Sequence, residues 1–137
     1  MSKVVRGKCG GPLPPIDNPT FDDVEKARHY NSHPSGIECV EIVRHLTFDV
    51  GNAVKYVYRA DHKNGRQDLE KARYYLRDAI RHADRVFLPS WRFQHQALLD
   101  RVAESETDPH RVMFFTAIKR GNLKGAAFAV NNLLNDT

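Results

Sequence analysis

Apolar residues recur every three or four positions along most of the chain, which is the spacing of one face of an α-helix. The clearest apolar face comprises Leu69, Ala72, Leu76, Ala79, Ile80 and Ala83. No segment alternates between apolar and polar residues as a half-buried strand would. The pattern predicts helices over residues 36–46, 48–60, 65–86, 91–104, 109–121 and 122–134. We therefore expect an all-α fold, a compact bundle of about six helices.

Signals for helix ends support these boundaries. Ser35 and Glu38 form an S-x-x-E pattern, which predicts a capping box at the start of the first helix. Residues that favour helix termini recur at the later boundaries: Thr47, Asn64 with Gln67, Asp108 before Pro109, and Gly121.

The N-terminal segment has a different composition. Residues 1–20 are rich in glycine and proline and lack apolar periodicity. Such a segment cannot offset the entropy lost on ordering, so we expect a flexible arm. A further short helix is predicted within residues 22–30. Residues 21–137 are expected to form a single all-α domain.

Composition narrows the class of protein. The 137 residues are 41% hydrophobic and carry a formal net charge of +4. That excess permits an anionic partner, but the chain lacks the dense basic clustering of a dedicated nucleic-acid binder, so nucleic acid is an unlikely partner. No apolar run is long enough to span a membrane. Cys9 and Cys39 form no C-x-x-C motif, and a reduced protein in the cytoplasm is expected.

The first three predicted helices each carry a row of polar side chains on one face. The rows are Glu38, Glu41 and His45; Asn52, Lys55 and Arg59 with Tyr56 beside them; and Asp68, Lys71 and Tyr75. One interpretation is that these are solvated faces held by ordinary ion pairs. The other is that the rows converge on one ligand. Composition alone does not decide between the two.

Convergence would make a phosphate site. Lys55 and Arg59 would present two cations to phosphate oxygens, and arginine can make a bidentate contact. Asn52 could hold a base or sugar. The carboxylates could hold Mg²⁺ or orient the cations. Helical nucleotide pyrophosphatases bind magnesium with an E-x-x-E helix followed by an E-x-x-D helix, whereas this second helix reads Asn52-x-x-Lys55.

The same residues carry a family resemblance. The pattern consists of His29-Tyr30, Gly36-Ile37-Glu38, the block GNAVKYVYRA at 51–60, and DL-x-KA-x-x-YL at 68–76. It resembles the SaV-like family of small bacteriophage proteins over residues 29–76. Residues 29–85 would then be a family-like helical core and 86–137 additional helices. The chain departs from the family at Ala27-Arg28, where a proline is usual, and at 61–63, where Gly-Lys-Lys is usual.

The resemblance implies a nucleotide-binding protein, in the host cytoplasm if encoded by a phage. It further implies a deoxynucleoside monophosphate kinase that needs no P-loop, and the chain contains no GxxxxGK[ST] motif. The implied catalytic residues are Lys55, Arg59 and Asp68. The implied substrate-binding residues are His29, Tyr30, Asn52, Tyr56, Lys71 and Tyr75. The implied metal ligands, for Mg²⁺, are Glu38 and Glu41.

Two other functions are compatible with the sequence. A protein that sequesters a nucleotide without altering it would use the same cations. A host-protein-binding module would instead use the aromatic C-terminal half, which includes Trp91 and the adjacent pair Phe114 and Phe115. Adjacent bulky residues require either sandwiched helices or a covering partner, and on this ground we expect a homo-oligomer.

Overall fold

The computed structural model describes residues 33–60 and 65–137. Within them the chain forms α1 (Cys39–Val43), α2 (Phe48–Arg59), α3 (Gly65–Arg81), α4 (Phe93–Ser105), α5 (Pro109–Lys119) and α6 (Leu123–Asn135). These residues contain no strand, only an isolated antiparallel bridge between Leu46 and Phe87. The all-α prediction is confirmed. The predicted N-terminal arm, the helix at 22–30 and the Asn64 cap lie outside the described residues.

Each helix packs against its neighbours through the apolar face that its sequence predicts. Helix α2 packs on α3, α3 on α6, α6 on α5 and α5 on α4, while α1 contacts both α2 and α4. The apolar face of α2 is fully buried, and most of that of α3 is buried too: Leu69 is 3% exposed, and Ile80 is half-buried. The side chains concerned are Val50, Ala53, Val54 and Val57 on α2, and Leu69, Ala72, Leu76 and Ala79 on α3.

Helix α1 is shorter than predicted because the chain turns before it. Gly36 has a φ of 78°, a left-handed conformation that no α-helix accepts. The Ser35 hydroxyl instead accepts the N–H of Ile37 at 3.1 Å. The capping box lies three residues later, where the Glu41 carboxylate accepts the N–H of Glu38 at 2.8 Å. The predicted Ser35 box is therefore wrong. The apolar spacing of this helix also places Val40 on its core side, but Val40 is exposed.

Helix α3 ends at Arg81, earlier than the predicted residue 86. Ala83 has a φ of 52° and lies outside the helix, exposed, so its predicted place on the apolar face is wrong. The chain after it pairs with the segment between α1 and α2. Thr47 donates its N–H to Val86 at 3.1 Å and its hydroxyl to Arg85 at 2.6 Å. This pairing returns the chain to α1 before α4 begins.

The C-terminal helices begin and end as their caps predict, apart from α4, which begins at Phe93 rather than Trp91. Asp108 accepts the N–H of His110 at 2.8 Å to cap α5, and Gly121 ends that helix region with a φ of 70°.

The aromatic residues of the C-terminal half are largely internal. Phe114 and Phe115 are both fully buried because α5 lies between α4 and α6. Trp91 packs on Phe87, with ring centroids 4.6 Å apart. Sandwiched helices thus account for the adjacent bulky residues, and Phe114 offers no surface to a partner. Among the described helices, none combines the length and apolar character needed to cross a membrane.

Candidate functional site

Helices α2 and α3 run side by side in opposite directions, which brings their two polar rows together. Arg59 near the end of α2 meets Asp68 in the early turns of α3. Phe48 at the start of α2 meets Tyr75, two turns further along α3. Antiparallel neighbours joined by a short connection must align in this way, so two rows predicted separately form one continuous surface.

Three cations surround the ring of Tyr56 on this surface. The Nζ of Lys55 lies 4.6 Å from the ring centroid, the Nζ of Lys71 lies 5.3 Å from it, and the guanidinium carbon of Arg59 lies 5.9 Å from it. All three cationic side chains are exposed. We call Lys55, Arg59, Lys71 and Tyr56 the cationic cluster. Attraction to the face of the ring offsets part of the repulsion between like charges held this close.

Asp68 fixes one member of the cationic cluster. Its Oδ2 lies 3.3 Å from the Nε of Arg59, and the Asp68 side chain is 5% exposed whereas that of Arg59 is 56% exposed. A buried carboxylate has few positions available, so it orients the more mobile guanidinium. No ion pair joins Lys55 or Lys71 to a carboxylate within residues 33–60 and 65–137. Among the described residues, the three positive charges of the cluster are therefore paired with one negative charge, that of Asp68.

An aromatic strip continues from the cationic cluster toward the start of α2, and it consists of Tyr56, Tyr75, Tyr74 and Phe48. Tyr56 and Tyr75 are nearly parallel, at an interplanar angle of 10° and a centroid distance of 6.0 Å. Tyr75 also meets Phe48 and Tyr74 edge to face, at 6.2 Å and 5.3 Å. Phe48 and Tyr74 are largely exposed, at 77% and 66%. Sequence analysis missed both, although aromatic residues next to a polar row were a visible signal.

Asn52 lies one helical turn from both Phe48 and Tyr56, on the same side of α2. Its amide nitrogen donates to the carbonyl of Phe48 at 2.9 Å. The predicted substrate-binding residues Asn52, Tyr56, Lys71 and Tyr75 therefore occupy adjacent positions on α2 and α3. His29 and Tyr30, the other two, lie outside the described residues.

The predicted metal ligands, Glu38 and Glu41, form the capping box at the start of α1, where the Glu41 carboxylate accepts the N–H of Glu38. In the part of the chain that the structure describes, no three side chains of the metal-binding types gather to hold an ion. Cys39 lies between Glu38 and Glu41 in the sequence. Burial raises the pKa of its thiol to about 12, although the charge of Lys55 opposes the shift. Cys39 is therefore an unreactive thiol, and its helix, α1, packs against α2, the helix that carries Lys55.

A second polar cluster is buried beneath this surface, and sequence analysis missed it. The Glu106 carboxylate contacts His33 Nε2 at 2.5 Å and accepts from Arg111 Nε at 2.8 Å and from a terminal nitrogen of Arg111 at 2.9 Å. Another Arg111 nitrogen donates to the carbonyl of Val57 at 2.8 Å. We call His33, Glu106 and Arg111 the buried ionic cluster.

Opposing effects set the pKa of Glu106 in the buried ionic cluster. Burial alone would raise this pKa, but the hydrogen bonds from His33 and Arg111 and the electrostatic attraction to them together lower it to about 2. The carboxylate is therefore charged at all physiological pH values. His33 and Glu106 are 73 residues apart in the chain, so no local spacing in the sequence could have indicated their contact.

Comparison with known proteins gives one match. Residues 22–77 match the model of a family described as a protein of unknown function, DUF3310. The matched segment contains α1, α2 and most of α3, and with them every predicted site residue from His29 to Tyr75. No curated protein and no solved structure matches the chain.

Proposed function

We propose that the cationic cluster binds the phosphate groups of a nucleotide. The observation that carries the proposal is the convergence of Lys55, Arg59 and Lys71 around Tyr56, where Asp68 pairs with Arg59. Three exposed cations that each lie within 6 Å of the same ring repel each other, and a phosphate group relieves that repulsion. The resemblance to SaV-like phage proteins supports a nucleotide as the ligand.

The aromatic strip supports a nucleotide base as the other part of the ligand. Phe48 precedes Arg59 by 11 residues, which spans about 16 Å of α2. A nucleotide whose phosphates contact Arg59 and Lys55 can therefore reach Tyr75 and Phe48 with its base. An aromatic face stacks on any base, and each such contact contributes about 1–3 kcal/mol. Asn52, between the two ends, is suited to a hydrogen bond with the sugar or base.

A catalytic role extends this proposal to phosphoryl transfer onto a deoxynucleoside monophosphate. Positioning and electrostatic stabilisation supply most of the catalysis in such reactions, so few specialised groups are required. Lys55 and Arg59 would neutralise charge on the transferred group, and Asp68 would keep Arg59 in place. Mg²⁺ would act with the phosphates, with Glu38 and Glu41 as its candidate protein ligands.

The binding step is tested by calorimetric titration with mono-, di- and triphosphate nucleotides, with and without Mg²⁺. Lys55→Ala/Arg59→Ala is expected to abolish binding, or to weaken it at least about 100-fold if each contact contributes about 1.4 kcal/mol or more. The matched control is Arg101→Ala/Lys124→Ala, which removes two exposed cations from α4 and α6 and should bind as the wild type does. Equal binding by both double variants would refute the proposal.

The catalytic step requires a separate measurement. The protein is incubated with a deoxynucleoside monophosphate, ATP and Mg²⁺, and the nucleotides are separated by chromatography. Formation of a diphosphate that Lys55→Ala abolishes would support a kinase. Recovery of unchanged nucleotides by a protein that binds them would support sequestration instead, the alternative that uses the same side chains.

Exposed apolar residues favour protein contact as a second candidate function. Phe93 is 89% exposed and Phe128 is 60% exposed, and each is a large side chain left without cover in the monomer. A second copy of the chain or a host protein would cover them. Self-association is tested by light scattering after size-exclusion chromatography of the wild type and of Phe93→Ser. If Phe93 lies in a contact between copies, the wild type should have a larger molar mass than the variant.

A further inference from the structure

The C-terminal end of α1 and the first turn of α4 border an open groove of about 410 Å³. It shares no residue with the cationic cluster or the aromatic strip. Its lining residues are Glu41, Arg44, His45, Gln94, His95 and Leu98. Four of these six side chains carry hydrogen-bond donors or can become cations, so the groove is suited to an acceptor-rich ligand.

Two stacked imidazoles form one wall of the groove. The ring centroids of His45 and His95 lie 3.8 Å apart at an interplanar angle of 29°. His95 Nδ1 accepts the N–H of Arg92 at 2.8 Å, so a neutral His95 carries its proton on Nε2 and is a donor there. His45 Nδ1 lies 2.8 Å from the hydroxyl of Ser90, which can accept a hydrogen bond. His45 can therefore hold protons on both nitrogens without losing this contact.

The charges that face the two rings are mostly positive. Arg44 and Arg92 lie close enough to act on His45, and Glu41 is the one carboxylate among the lining residues. The pKa of His45 is lowered first by burial and then by the positive charges of His95, Arg44 and Arg92. The first turn of α4 contains no acidic residue, so nothing there neutralises the partial positive charge of the helix N-terminus.

We propose that this groove binds a small tetrahedral oxyanion, such as sulfate or a phosphate group, through Arg44, His45 and the Nε2–H of His95. Arginine supplies two parallel donors to such an ion, and each imidazole supplies one more. The anion offsets the mutual repulsion of these groups, so the ion and a proton on His45 stabilise each other. Binding therefore takes up protons and tightens as the pH falls.

Sulfate is the probe, since it keeps two negative charges across the pH range in which phosphate titrates. The imidazole C–H resonances of the wild-type protein are followed by NMR during sulfate titrations at about pH 6 and about pH 7.5. We expect the resonances of His45 and His95 to shift to saturation, the pKa of His45 to rise, and the affinity to be about three- to tenfold higher at the lower pH. A phosphate titration at one fixed pH tests the second ion of the class.

Matched variants separate this groove from other sites. Arg44→Gln should remove the response of both histidines, whereas Arg101→Gln, an exposed arginine further along α4, should keep it. Lys55→Ala/Arg59→Ala should also keep it, because neither of these residues lines the groove. Equal shifts with chloride at matched ionic strength, or an unchanged response in Arg44→Gln, would overturn the proposal.

Discussion

Replacing Glu106 by glutamine tests how strongly the buried ionic cluster holds the fold. The glutamine has the same size, so no cavity forms, but the negative charge is lost and the new NH₂ faces a donor. The charged Arg111 remains, with its side chain 4% exposed. We expect a loss of about 3 kcal/mol in the free energy of unfolding at neutral pH, because removing one partner of a buried ion pair costs about 3–5 kcal/mol and glutamine still offers one acceptor.

The pKa of Glu106 gives a second estimate of the same quantity. It falls from an ordinary value of 4.5 to about 2 on folding. Because the folded pKa is the lower one, the charged carboxylate stabilises the protein fully above about pH 5, and this contribution is lost as the pH falls toward 2. A shift of this size corresponds to about 3 kcal/mol, in agreement with the estimate from the ion pair.

Urea unfolding followed by circular dichroism measures both effects. At about pH 7 the Glu106→Gln variant should unfold at lower urea with an unchanged slope, and the difference from the wild type should shrink steadily below about pH 4. Glu104→Gln, at an exposed glutamate two residues earlier in the chain, is the control and should change stability by less than about 0.5 kcal/mol. A loss under about 1 kcal/mol, or a difference that does not depend on pH, would refute the reasoning.

Three further substitutions or measurements test separate features. Burial, followed by the hydrogen bond with Asp78 and the charge of that residue, raises the pKa of Asp49 to about 6. Because the folded pKa is the higher one, the charged carboxylate destabilises the fold increasingly as the pH rises from about 4 through 6. Asp49→Asn should therefore stabilise the protein by about 1 kcal/mol at pH 7.5 and leave its thermal melting at pH 4 unchanged. Gly36→Ala should lower the free energy of unfolding by about 1 kcal/mol, since its φ is 78°, and an unchanged urea midpoint would contradict this. Cys39, with a pKa of about 12, should be alkylated by iodoacetamide far more slowly in the native than in the unfolded protein, as peptide mass mapping would show; equal rates would exclude a protected thiol.

Local periodicity explains which parts of the fold could be predicted. The apolar faces of α2 and α3 follow from a repeat of 3.6 residues, and every helix in the described residues overlaps a predicted one. The alignment of the rows that contain Lys55 and Lys71 also follows from the sequence, because two helices joined by a short connection pack antiparallel. This is why the cationic cluster could be anticipated from its residues.

Features that depend on backbone conformation or distant contacts could not be predicted in this way. Because Gly36 is left-handed, α1 begins several residues later than predicted. The Ser35 hydroxyl accepts a hydrogen bond within the preceding turn instead of capping the helix. The contact between His33 and Glu106 joins the first described residue to one that lies 73 positions later. Neither leaves a periodic signal, since one is a single dihedral angle and the other a single long-range pair.

The buried ionic cluster and the cationic cluster are connected through the backbone of α2. Arg111 donates to the carbonyl of Val57 in the last turn of that helix, two residues before Arg59, and the same carbonyl accepts the N–H of Ala60 at 3.1 Å. Asp68 holds the side chain of Arg59 from the other side. The guanidinium of Arg59 is held by Asp68, and the turn of α2 that carries it is held by Arg111. Glu106 pairs with Arg111, so the buried ionic cluster supports the end of the helix from which Arg59 projects.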